Sequence, residues 1–295
     1  MILMIRDQAV EQVLRGLTLS KARSEAAATL TANLLTDAAD NYLPSLTVAV
    51  GDPIRLLEDD GAAVFSGSVQ EVHRTGETVT VVAYDQGIYL TGNELYGVFA
   101  GTGAQIAAQV AGKLGIALGA VDAQPIYRTI VSTSADTAFS ILRRAVGEDR
   151  EIWMEGAILR VGRERGQTVT VNPGAVLAVE SRASIREMVN RGVVLRRGGA
   201  LAAFRENAAD LAAYGQFQAV ETLSGTDAAS QAGEMLRGKS LTASLTVLGD
   251  LALQCGGRMV LSAPEWGLEG TYRITECLHR WERGLYTTEL EAEAV

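Results

Sequence analysis

The same order of residues occurs twice in this chain. Leu-Thr-Val, Gly-Asp, a later glycine, Glu, His-Arg and a closing Gly run from "LTVAVGDPIRL" to "EVHRTG" (Leu46 to Gly76). The order returns from "LTVLGDLAL" to "ECLHRWERG" (Leu245 to Gly284). A repeat on this scale constrains the fold more than any short motif, because each copy has the same apolar pattern to bury. The spacing differs: Gly51 stands 22 residues before His73, and Gly249 stands 30 before His279. The expectation is one structural corner built twice, bringing His73 and His279 to equivalent places. The extra residues of the second copy are expected in the bends of "APEWGLEG" and "HRWERG", since turns accept insertions and paired strands do not.

Around both copies the periodicity is that of strands. "PIRLLEDDGAAVFSGSVQEVHRTGETVTVVAYD" alternates, with turn signals at "EDDG", "FSGS" and "HRTGE". It reads as an antiparallel meander with Val79, Val81 and Ala83 on one face and Thr78, Thr80 and Val82 on the other. At the end of the chain Tyr272, Ile274, Glu276 and Leu278 are expected to face one way. Tyr286, Thr288 and Leu290 answer them across Gly284. Between the copies the pattern changes. "TGAQIAAQVAGKLGI" places Ile106, Val110 and Leu114 at helical spacing, with Thr102 as N-cap and Gly115 as stop. A second helix carries Phe139, Leu142 and Val146, and a hairpin turns at Glu155-Gly156. A chain of 295 residues, 47% apolar, with 31 glycines and only 5% aromatics, suits about two domains rich in short elements and tight turns. The fold class expected is mainly β (α+β): two similar β-barrel domains, 1–92 and 173–295, and a small α+β insert, 93–172. A short helix near 226–238, capped by Asp227 or Thr226, belongs to the second barrel.

The candidate chemical residues give no constellation. His73 and His279 need a nucleophile or a metal within reach, and no Gly-x-Ser-x-Gly, HExxH or Cys-x-x-Cys is present. If they occupy equivalent corners they are far apart, each a strand-end histidine bonded to its surroundings. Cys255 and Cys277 match no zinc or redox spacing and read as buried free thiols. "GTGAQIAAQ" has Ile106 where a dinucleotide fingerprint needs a small residue, and no Gly-Lys-Ser/Thr follows. Glu58, Asp59 and Asp60 are adjacent in a hairpin tip, where carboxylates point apart into water. Arg191, Arg196 and Arg197 read as charges protecting an edge strand. Catalytic, cofactor and metal residues are therefore each expected to be none. The formal charge of −9, with scattered Lys and Arg, offers no stripe for phosphate. There is no apolar run of bilayer length, and "MILMIRDQAVEQ" turns polar too early for a signal peptide, so the expected place of synthesis is the cytoplasm.

These features together resemble the XkdQ/YqbQ-type tail proteins of phages, the baseplate hub proteins of contractile tails and phage-tail-like particles. The residues that carry the resemblance are "VGDPIRLLEDDGAAVFSGSVQEV", "VVAYDQGIYLTGNE", "REMVNRGVVL", "YGQF", "LTVLGD" and "GTYRITECLHRWERGLYTTELEAE", in that order over nearly the whole chain. Residues before about 45 carry least of it. The resemblance implies a non-enzymatic hub of two similar barrels per chain, assembled as a homotrimeric ring with pseudo-six-fold symmetry. Its implied partners are the tail tube or tube-initiator protein, the central spike, baseplate wedge proteins and the tape measure protein. No cofactor, nucleic acid or membrane is among them. The implied location is the tail baseplate, assembled in the bacterial host cytoplasm. Two other classes remain beside it: a tail-associated cell-wall-degrading enzyme, which needs a catalytic set that residues 173–295 lack, and a host-surface binding module. The latter needs clustered aromatics, whereas Trp153, Trp266 and Trp281 are dispersed.

Overall fold

The computed structural model describes residues 1–36, 47–147, 149–223 and 227–295. Ten strands carry the architecture and are labelled here in chain order. The first five are β1 (Leu14–Ala22), β2 (Thr29–Leu35), β3 (Pro53–Leu57), β4 (Ala63–Thr75) and β5 (Thr78–Asp85). The second five are β6 (Val176–Ser184), β7 (Ser240–Leu248), β8 (Arg258–Ala263), β9 (Leu268–Glu282) and β10 (Leu285–Ala294). All ten lie in one curled 13-stranded sheet. The first half is ordered β1-β2-β5-β4-β3 and the second β6-β7-β10-β9-β8, so each strand has a counterpart five numbers later. The halves are joined edge to edge, because β1 pairs antiparallel with the end of β9 from Glu276↔Ala22 to Glu282↔Gly16.

Irregularities repeat as well as strands. β1 is bulged against β2 between Leu14 and Gly16, and β6 against β7 between Val176 and Ala178. β4 is bulged between Val69 and Glu71, and β9 between Ile274 and Glu276. Each bulge adds an unpaired residue that bends the strand and exchanges its two faces. The bulge in β9 corrects the expected alternation. Tyr272 and Ile274 point inward before it, and Cys277 and His279 after it, while Glu276 lies exposed. The face expected of Val79, Val81 and Ala83 is observed, all three buried.

Three further expectations are corrected. "FSGS" is no bend, because β4 runs straight through it; a Cβ on Gly67 would stand 2.2 Å from the Tyr84 carbonyl oxygen, so glycine serves close strand approach there. The extra residues of the second copy do not lie in "APEWGLEG", since Pro53 to Ala63 and Arg258 to Leu268 are equal in length. They fall mainly between Gly249 and β8, and the rest prolong β9 beyond its bulge. The two Leu-Thr-Val segments are also not equivalent. Leu46 is outside the described residues and Thr47 and Val48 are in no strand, whereas Leu245 to Val247 lie within β7, whose counterpart is β2.

Each half has its own core. Leu30, Ile54, Val69 and Val81 belong to the first, and Leu245, Leu261, Ile274 and Leu290 to the second. A third core closes between the helices Gly103–Leu114 and Ala138–Val146 and short strands on residues 97 to 162. Its first helix starts as the sequence indicates, with a capping box between Thr102 and Gln105, and stops at a left-handed Gly115. A fourth, smaller core lies under a three-stranded sheet whose middle strand, Arg191–Leu195, pairs on both sides. The edge-strand reading of Arg191 is thereby corrected, because Gln218–Thr222 supplies a parallel neighbour. The helix Ala228–Glu234 is capped by the Asp227 carboxylate at 3.0 and 3.1 Å; Thr226 lies outside the described residues. The helix Ala208–Tyr214 was not expected, although Asn207 caps it and Gly215 ends it.

Candidate functional site: the junction and the free edges

The junction of the halves is where the chain concentrates buried charge. Along β1 the inward phase runs Leu17, Leu19 and then Lys21, and along β5 it runs Val79, Val81, Ala83 and then Asp85. Both strands thus end an apolar face on a charged residue. These ends meet Arg165, which follows the Ile158–Gly162 strand, and the thiols of Cys255 and Cys277 around a cavity of about 70 Å³. The Lys21 ammonium donates to the carbonyls of Glu25 and Ala26 at 2.7 and 2.5 Å. Burial pulls its pKa down to about 8, against the attraction of Asp85. Burial raises the Asp85 carboxyl, although Lys21 opposes the shift. A second tie crosses all three parts: Arg23 meets Glu151 of the insert at 2.6 Å and Glu293 of β10 at 3.7 Å. Glu151 is almost wholly buried, so this pair fixes an orientation more than it adds stability.

His279 and Cys277 form the one arrangement here that resembles a catalytic pair. The thiol sulfur is 3.2 Å from Nε2, and Nδ1 faces the Tyr286 hydroxyl at 3.0 Å and the Thr288 hydroxyl at 3.2 Å. The chemistry of the pair runs the other way. Desolvation lowers the His279 pKa to about 4 and raises the Cys277 thiol above the usual range, as it raises Cys255 to about 12. An activated cysteine needs a depressed thiol and a base able to take its proton. Here both partners are held neutral, and the Cys277 sulfur also reaches the Leu253 carbonyl. The group acts as a polar staple between β9, β10 and the segment before β8.

The two histidines therefore do not occupy equivalent positions. His73 is exposed and its ring meets the Thr75 hydroxyl at 3.0 Å. Counted from the matched bulges, His73 is the third residue of its strand segment and His279 the fourth, so His279 corresponds to Arg74 and His73 to Leu278. A one-residue offset puts them on opposite faces. Glu58, Asp59 and Asp60 form an exposed turn in which Asp60 accepts from the Ala62 amide at 2.9 Å and Asp59 pairs with the Met1 amino group. Arg196 and Arg197 are exposed, while Arg191 lies 5.3 Å over the Phe204 ring and 3.9 Å from Glu206. Trp281 stacks on Tyr286 at 4.5 Å, and Trp153 and Trp266 belong to other parts. Among the described residues no group of three or more His, Cys, Asp or Glu is placed to hold a metal, and no helix is long and apolar enough to cross a membrane.

Two stretches of the large sheet have no strand partner among the described residues at places that correspond to the two sides of the internal junction. β6 pairs only with β7, and its outer side runs exposed from Leu177 to Ala183 apart from Val179. β4 pairs with β3 only as far as Ser68, and Val69 still exchanges backbone bonds with Gly51 and Asp52; beyond the bulge no described strand pairs with Glu71–Thr75 on the side away from β5, although the Arg74 guanidinium donates to the Val48 carbonyl at 2.5 Å. An exposed edge is a template for another strand.

Comparison with known proteins accords with this geometry. The sequence profile of the YqbQ-like family matches residues 17–156 and 157–293. No curated protein matches by sequence. Among solved structures, the 43 kDa tail protein of prophage MuSo2 from Shewanella oneidensis is similar over 99% of this chain and 96% of its own, at 14% identity and a TM-score of 0.74. A tail protein from Neisseria meningitidis MC58 is similar over 99% and 96%, at 13% identity and a TM-score of 0.72. An Escherichia coli component of the type VI secretion system, described as structurally similar to the T4 bacteriophage tail proteins gp27 and gp5, is similar over 98% and 76%, at 10% identity and a TM-score of 0.61.

Proposed function

Because the chain belongs to the YqbQ-like family and has the fold of phage tail proteins, we propose that it is a structural, non-enzymatic baseplate hub protein of a contractile phage tail or tail-like particle. In this reading three chains form a ring of six half-barrels that joins a hexameric tail tube to a trimeric spike. The ring also meets wedge proteins and the tape measure, and the insert at 93–172, set between barrel domains at 1–92 and 173–295, projects from it. Assembly takes place in the bacterial cytoplasm and the product resides in the tail. No cofactor, nucleic acid or membrane takes part.

The observation that carries the reading is the repeated strand order, with the halves joined edge to edge. A chain built from two like units turns a three-fold assembly into six near-equivalent faces, which is what a joint between six-fold and three-fold partners requires. The buried Cys277–His279 pair, held neutral, supports a structural role over a lytic one. The test is to remove the chain from cells that make the particle. Free spike and no completed tails are expected; normal tails assembled without it would overturn the role.

A further inference from the structure

The junction inside one chain specifies the contact between two chains. β1 is the strand of its half that lies next to the second half, and its outer edge is covered by β9 beyond the β9 bulge. β6 is the counterpart of β1, and its outer edge has no strand partner among the described residues. β4 is the counterpart of β9, and among the described residues no strand pairs with its stretch beyond the bulge on the side away from β5. We propose that β6 of one copy pairs antiparallel with the Glu71–Thr75 stretch of β4 in the next copy, repeating the internal junction between molecules.

The register follows from the matched bulges. Within the chain Leu278 pairs with Ser20 and Glu276 with Ala22. Leu278 corresponds to His73, and Ser20, four residues past Gly16, corresponds to Arg182, four past Ala178. His73 of one copy thus faces Arg182 of its neighbour, and Glu71 faces Ser184. Arg182 then has Glu71 on its diagonal, an opposite charge on the same face. On the inward face the same register sets the half-buried Val72 opposite Ala183. The contact is head to tail: each copy offers one edge of each kind, so a ring pairs both of them in every copy. A second copy is the occupant that fits, because the chain already presents the same edge to the same surface once.

This inference rests on the ring reading, and the experiment separates the two. His73→Cys and Arg182→Cys are introduced together into the full chain and oxidised with copper(II) phenanthroline, which accepts the two electrons as the thiols join. The native Cys255 and Cys277 are buried and serve as the internal control. Loss of the monomer band to covalent dimers and trimers is expected for the double variant and for neither single variant. Trimers in solution that form no cross-link overturn the edge pairing and leave the ring intact. A folded chain that stays monomeric at every concentration overturns both. Should that double variant fail to fold, Glu71→Cys with Ser184→Cys carries the same expectation and the same refutation.

Discussion

His73 and His279 share the neighbour Arg and the same strand-to-turn setting in the sequence, yet one is solvated and the other is 5% exposed. The difference predicts their substitutions. His73→Ala should leave unfolding stability within about 0.5 kcal/mol. His279→Ala should cost on the order of 3 kcal/mol, through a cavity and the unsatisfied hydroxyls of Tyr286 and Thr288; chemical denaturation of both variants checks this. His279 also sets a pH dependence. Its folded pKa of about 4 lies below its ordinary 6.5, so between those values the unfolded chain binds the extra proton. The stability it contributes is present above pH 6.5 and falls as pH drops toward 4, by an amount of order 3 kcal/mol. Asp250 facing the ring opposes the shift and Arg165 adds to it. His279→Phe should flatten the slope between pH 6.5 and 4, and an unchanged slope would assign it to other groups. At this scale the histidine chemistry was hard to read from the sequence, because a bulge has no residue signature and reverses every face after it. The junction charges were legible in principle, since Lys21 and Asp85 each continue an apolar phase of alternation.

At the scale of elements, turns and caps were readable where one residue type does one job. Thr102, Gly115 and Asp227 mark helix ends, and Arg283 and Gly284, both at positive φ, make the tight hairpin that the alternation of β9 and β10 requires. Gly67 misled because glycine also serves close approach, and a turn signal inside an alternating run does not say which use applies. Gly67→Ala should therefore destabilise by about 3 kcal/mol, although its backbone suits any residue, because the added methyl must displace the backbone of β5. A thermal melt near that of the unsubstituted protein would show the strands free to separate. The helix Ala208–Tyr214 escaped notice because "AADLAAY" is short and lacks a buried stripe; only its cap, Asn207, signals it. β1, in the part of the chain with the weakest family resemblance, makes the join.

For the whole molecule, the duplication was legible but its alignment was not. Leu-Thr-Val, Gly-Asp and His-Arg suggested the repeat, yet none of the three is structurally equivalent between the halves; strand order and bulges are. Even the shared Gly-Asp differs in purpose. Gly51 is needed for its positive φ, whereas Gly249 leaves room for the Tyr286 ring, 2.1 Å from where a Cβ would stand. What two halves retain in common is therefore the pairing geometry, which governs how they meet their neighbours. Cryo-electron microscopy of the ring, isolated from assembled tails, tests this most directly. Three copies are expected, in which first and second half-barrels alternate as six near-equivalent units, with β6 of each copy against β4 of the next. A ring of any other number of copies, or one in which like halves sit side by side, would contradict it.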